Sequence, residues 1–145
     1  MSLDPSKIAR QILIDDSIVT LRSSDEDWPC FTTRVPNRDN VPNDTLAIIN
    51  TTGIKQGRLM GSTTLMKRGF QVLLYSSEYD DGWDKMTEIQ ESYDTINRTT
   101  VTFDSVDYLV QVVVRFSDII PVGQEEDGKR REIFSQNFLM EVQTA

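Results

Sequence analysis

Apolar residues recur along this chain in two rhythms. Tyr79, Trp83, Met86, Ile89, Tyr93 and Ile96 are spaced four, three, three, four and three apart, one stripe of an amphipathic helix. The pattern predicts a helix from about Asp80 to Asn97, with Asp80 and Asp81 at the positive end of its dipole and Arg98 near the negative end. Core packing is the expected role of this stripe, and on that footing Trp83→Ala would cost about 3–5 kcal/mol. A first helix is expected from Pro5 to Asp15. Asp4 supplies an N-cap, Pro5 fits the first helical position, and Ile8, Ile12 and Leu13 form the apolar face. Ile18, Val19 and Leu21 then predict a short turn that tucks the helix end onto the core.

Elsewhere the rhythm is two. Trp28 to Val35 reads as a strand ended by Pro36, and the β-branched run Leu46 to Thr52 as a central strand. Met66 to Ser76 returns as its partner, with Phe70, Val72 and Leu74 on one face and Gln71, Leu73 and Tyr75 on the other. Lys55 to Thr64 is expected to form the tip of a long protruding hairpin. Val101 to Phe103, an Asp104-Ser105 turn and Tyr108 to Phe116 predict a second hairpin. Ile119 to Arg131 reads as an irregular loop. Ile133 to Val142 is the last expected strand, with Phe134, Phe138, Met140 and Val142 facing inward. The order α-β-β-β-α-β-β-β implies an α+β fold, a mostly antiparallel sheet packed against two main helices, over residues 1–145 as one domain. Strands apolar on both faces suit a sheet with helices on one side and another subunit on the other.

Charge changes the picture. The chain's 145 residues carry 23 carboxylates against 15 Lys and Arg, a net −8. Gripping nucleic acid needs cations to displace phosphate counterions, and an anionic membrane surface repels this balance equally. No run approaches the ~18–20 apolar residues of a membrane span. The opening MSLDPSKIARQILI, with acidic residues and no unbroken apolar region, is not expected to be a secretory signal.

Candidate chemistry is sparse. The chain has no histidine, which removes Ser-His-Asp and Cys-His systems, and one cysteine, Cys30, which makes a tetrahedral zinc site untenable. Cys30 is expected to be a buried, inert thiol. Gly57, Gly61 and Gly69 do not form a phosphate-binding loop. Asp80, Asp81 and Asp84 are accounted for as partners of a helix N-terminus, and Glu125, Glu126 and Asp127 as a solvated loop rather than a cation site. No catalytic residue, metal or cofactor is expected. Two surfaces instead look made for contact. The hairpin exposes Leu59 and Met60 beside Lys55 and Arg58, cations that would complement an acidic neighbour of the same sequence. The loop places Glu125, Glu126 and Asp127 beside Lys129, Arg130 and Arg131.

The run FQVLLYSSEYDDGWDKMTEIQESYDTI, Phe70 to Ile96, resembles small neck proteins of long-tailed bacteriophages, in that a strand turns into a helix through S-x-x-Y-D-x-x-W-D. The closing IIPVGQEEDGKRREIFSQNFLMEV, Ile119 to Val142, and the N-terminal helix followed by a Trp-Pro strand fit the same tail-terminator or minor capsid group. The resemblance implies a structural protein of the virion's head–tail junction, assembled in the host cytoplasm. Such a protein forms a ring, in the family a hexamer, that caps the tail tube, stops its polymerisation and presents a surface to head-closure or connector proteins. It implies no enzyme activity. Six copies at −8 each would carry −48 formal charges, and an acidic lumen would let DNA pass without sticking. The extended acidic loop Glu125-Glu126-Asp127 departs from the family pattern. The alternatives are a head-closure or tail-completion connector and, from a different class, a small enzyme using a carboxylate-bound metal.

Overall fold

The computed structural model describes residues 4–21, 28–32, 44–58, 64–125 and 130–144. Two helices, α1 (Pro5–Asp15) and α2 (Tyr79–Asp94), pack on one face of a sheet of eight strands. In chain order these are β1 (Thr20–Leu21), β2 (Pro29–Phe31), β3 (Thr45–Arg58), β4 (Thr64–Ser76), β5 (Asn97–Phe103), β6 (Val106–Arg115), β7 (Ile120–Gln124) and β8 (Glu132–Thr144). The α+β class and the order of the main elements are those the periodicity predicts.

The sheet runs β1-β2-β3-β4-β8-β6-β5, parallel in the pairs β1–β2 and β2–β3 and antiparallel elsewhere. The last strand of the sequence is therefore central. β8 pairs with β4 along one side from Lys67↔Glu141 to Ser76↔Glu132. Its other side is shared, with β6 opposite residues 138–144 and β7 opposite residues 132–135. Between β6 and β7 the backbone N–H groups of Phe116 and Ser117 both donate to the Asn137 carbonyl, at 2.8 and 3.2 Å, and Asn137 N–H donates to Ser117 Oγ at 3.0 Å. Residues 106–124 thus form one interrupted strand, bulged where two donors share a single acceptor.

Three elements depart from the sequence reading. Ile18 and Val19 are buried as expected, but the chain continues into strand β1 rather than a turn. The supposed loop Ile119–Arg131 contains β7, whose five residues are all exposed. Gly123 there has φ +126 and open space where a Cβ would stand, which permits the register shift between Pro121 and Gly123. Helix α2 stops at Asp94 rather than Asn97, because Ile96 turns into the core and Arg98 takes a positive φ. Asp104 and Ser105 (φ 52 and 63) make the expected turn, a two-residue loop with both central residues left-handed. Of the Trp28–Val35 strand, Pro29–Phe31 is observed and residues 33–35 lie outside the described part.

The core gathers where the layers meet. Phe70 of β4, Phe138 of β8 and Tyr93 of α2 form a mutual cluster with ring centroids 4.9–5.3 Å apart. The Tyr93 hydroxyl donates to the Ala9 carbonyl of α1 at 3.0 Å, so one side chain ties both helices to the sheet. At the start of α1, Asp4 Oδ1 accepts from Ser6 N–H (3.2 Å), Ser6 Oγ (2.8 Å) and Asn50 Nδ2 of β3 (2.9 Å). Burial pushes the Asp4 carboxyl up, but the hydrogen bonds from Asn50 and Ser6 together hold it below its ordinary 3.8. A depressed folded-state value gives stability that is complete above the unfolded pKa and lost as pH falls through the folded one. Asp4→Ala is therefore expected to cost about 1 kcal/mol at pH 7 and less below about pH 4. Urea titrations of both proteins at pH 7 and pH 3 measure this, and an equal cost at both would remove the carboxylate from the cap.

Candidate assembly interface

The hairpin extends further than its sequence suggests. Pairing continues through Lys55↔Met66, Gly57↔Leu65 and Arg58↔Thr64, so Lys55 and Arg58 lie on a strand rather than at a tip. Past Lys67↔Glu141 neither β3 nor β4 has a further strand partner among the described residues, and the pair leaves the sheet as a two-stranded ribbon. Leu59 and Met60, expected at its apex, lie outside the described residues.

In the second expected contact surface, Arg131 is turned inward. Arg131 is 4% exposed. Its Nε and Nη2 donate to the two carboxylate oxygens of Glu125 at 2.8 and 3.1 Å, and its guanidinium lies 4.6 Å from the centre of the Tyr75 ring. The backbone closes the same pair: Arg131 N–H donates to Glu125 Oε1 (3.0 Å) and Glu125 N–H to the Arg131 carbonyl (2.9 Å). The planar cation thus has a bidentate partner and an aromatic face, while its Nη1 is buried without a hydrogen-bond partner among the described residues. Glu125 and Arg131 thus pair with each other at the base of the loop, with Arg131 buried rather than exposed. Arg130 is exposed, with φ 52. Glu126, Asp127 and Lys129 lie outside the described residues.

The helix stripe also needs one correction. Met86, Ile89, Tyr93 and Ile96 are buried, but Trp83 is 39% exposed and Tyr79 46%. Their rings stack on each other at 6.4 Å and lean over the edge of buried Phe134. Gly82 beside them explains the geometry. A Cβ there would stand 2.4 Å from Phe134 Cε2 and 3.0 Å from Ser76 Cβ, so α2 touches the sheet with its backbone and the larger neighbours spread outward.

A third surface lies outside those the sequence pattern predicts. Phe116 (63% exposed), Ile120 (47%) and Val122 (59%) follow one another along β7 and the bulge before it, next to Val114 at the end of β6. Among the described residues β7 pairs with β8 alone, so its outward edge carries unpaired backbone groups beside exposed apolar side chains. On the sheet face away from the helices lie Ile49, Leu73, Tyr75, Val112 and Ile133, half-buried and outside the helix-side core.

The chemistry of these groups is that of packing. Burial pushes the Cys30 thiol up to about 12, Arg10 lowering it only in part, so the thiolate is scarce at neutral pH. Burial likewise pushes the Tyr93 hydroxyl well above its usual range. Among the described residues no group of three or more Asp, Glu or Cys is placed to hold a metal ion. Neither helix is long and apolar enough to cross a membrane.

No protein-family model and no characterised protein matches this sequence.

Proposed function

We propose that this chain is a structural subunit of the neck of a long-tailed bacteriophage, a tail terminator whose copies form a ring on the head-proximal end of the tail tube. The observation that carries the reading is β7, whose outer edge has no strand partner among the described residues and which exposes Ile120 and Val122 beside Phe116. Apolar side chains beside unpaired backbone donors and acceptors are a liability in a monomer and an asset in an assembly, where a neighbour buries both. The half-buried apolar face of the sheet and the ribbon that projects from it support the same reading. The strand-to-helix passage Phe70 to Ile96, with its S-x-x-Y-D-x-x-W-D pattern, supplies the likeness to neck proteins. The net −8 suits a ring through which DNA passes unbound.

Electron microscopy of virions that carry a labelled copy of this chain tests the proposal. A terminator places the label at the head–tail junction, and its deletion gives abnormally long tails. Label at the junction with tails of normal length when the chain is deleted would assign the head-closure side instead. Particles without label would overturn the neck reading and return the metal-dependent enzyme to consideration.

A further inference from the structure

Two stretches of strand edge lack a partner among the described residues, and they lie on opposite sides of the sheet. On the first side β5 reaches only to Asn97↔Val112, and β7 pairs with β8 alone. From Val113 through the bulge to Gln124, about a dozen residues present an open edge, ~40 Å long and stopped at its Val113 end by β5. On the second side β2 covers β3 only at Leu46 and Ala47. The outer edge of β3 is therefore open from Ile48 to Arg58 and stopped at its Ile48 end by β2. One edge is a slot and the other a tongue of nearly the same length.

The slot is held in shape from inside the fold. The N–H groups of Phe116 and Ser117 face β8, where both donate to the Asn137 carbonyl. Gln136, fully buried on the same strand, donates from Nε2 to the Ser117 carbonyl at 3.0 Å. Next to the bulge, Arg115 Nε donates to Asp94 Oδ1 at 3.1 Å. At the far end Glu125 N–H donates to the Arg131 carbonyl, so by the alternation of a strand the N–H of Gln124 points outward. Phe116, Ile120 and Val122 stand exposed along this edge. An edge fixed in advance loses little entropy when a strand adds to it.

Strand direction decides what fits the slot. β3 is antiparallel to β4, β4 to β8, and β8 to both β6 and β7, so β3 runs opposite to the slot. We propose that the free edge of β3 in one copy adds to the free edge of β6 and β7 in a second copy, joining two sheets into one. Copies in the same orientation, neither turned over, then bring oppositely running edges together as an antiparallel ladder. Arg58 comes to lie near Val113 and Ile48 near Gln124, so each blocked end meets an open one. Within one subunit Ile49 is level with Gln71 and Asn137, and through Asn137 with Ser117. Seating it close to Gln124 offsets successive copies by about six residues, ~20 Å, and such stagger is what tilts strands when a sheet closes on itself. A slot paired with itself about a two-fold axis would make a closed dimer and leave β3 bare, whereas tongue in slot is head-to-tail and repeats. The inference rests on the ring reading and names the edges that build the ring.

Sedimentation velocity and amide hydrogen exchange on the whole chain test the proposal together. The wild-type chain is expected to self-associate as its concentration rises. In the associated state exchange should slow both from Val113 to Gln124 and from Ile48 to Arg58, while β5 exchanges as in the dilute chain. Gln124→Pro removes an outward N–H, a change that an edge strand tolerates. It is expected to weaken association at least about tenfold with an unchanged urea midpoint. Phe116→Asp keeps every backbone donor and repeats the loss should the proline disturb β7. A wild-type chain that stays monomeric, variants that associate as it does, or protection that misses either stretch would each overturn the proposal. Protection of the slot without β3 would assign the two-fold pairing instead. All of these outcomes leave the neck reading standing, whereas unlabelled virions bear on the neck reading alone.

Discussion

Phe138→Ala is expected to lower the unfolding free energy by about 3–5 kcal/mol. Phe138 is 1% exposed and stands on the central strand, stacked on Phe70 of β4 at 5.3 Å and edge-on to Tyr93 of α2 at 4.9 Å. Across its other side it pairs with Arg115 of β6, whose guanidinium is bound to Asp94 at the end of α2. A cavity at this point has walls fixed by three elements, so little collapse can relieve it. Urea titration should show a lower midpoint with an unchanged slope. Phe116→Ala serves as the control, because an exposed ring removes little buried area. Equal midpoints for the two variants would mean that the aromatic cluster is not the centre of the fold.

The second large effect inverts a familiar preference. Alanine in place of a helical glycine usually gains up to about 1 kcal/mol. Gly82→Ala is expected instead to lose about 1–3 kcal/mol, because the new methyl meets the ring of Phe134 and Cβ of Ser76. The Phe134 ring cannot swing clear. It is fully buried, with Tyr79 at 5.2 Å and Trp83 at 6.4 Å across it. Trp83→Ala, one position on, should cost only about 1 kcal/mol, since the indole keeps much of its surface in water. Thermal melts of the two variants decide the matter. A stabilised Gly82→Ala protein would show that α2 can move off the sheet.

The contrast between these adjacent residues shows what periodicity can and cannot report. A spacing of three and four fixes the direction of a side chain around the helix axis, and it placed Met86, Ile89 and Tyr93 correctly. It carries no information on whether a sheet lies beneath that particular turn, and Trp83 meets only the edge of the Phe134 ring. Strand β7 is hidden from periodicity for a related reason. With all five residues exposed and both a proline and a glycine present, it lacks the alternation by which a half-buried strand announces itself. What makes it a strand is the backbone of β8, a partner supplied from elsewhere in the chain. Arg131 stands in a run of charges in the sequence, yet its environment is set by Tyr75, which is more than fifty positions away, and by the carboxylate of Glu125. The strands of the hairpin and the turn at Asp104-Ser105 were legible because their signals are local.

The placement of β8 has a further consequence for how the protein is made. The strand that joins β4 to β6 and β7 is the last to be synthesised, so the sheet stays in separate pieces while the ribosome translates residues 1–131. During that interval Phe70, Val72 and Leu74 have no β8 beside them, and the inner faces of both helices lack half of their floor. Folding is then a late, long-range event, of the slower kind set by distant strand pairings. Until β8 emerges, the nascent chain exposes apolar surface that the finished sheet covers.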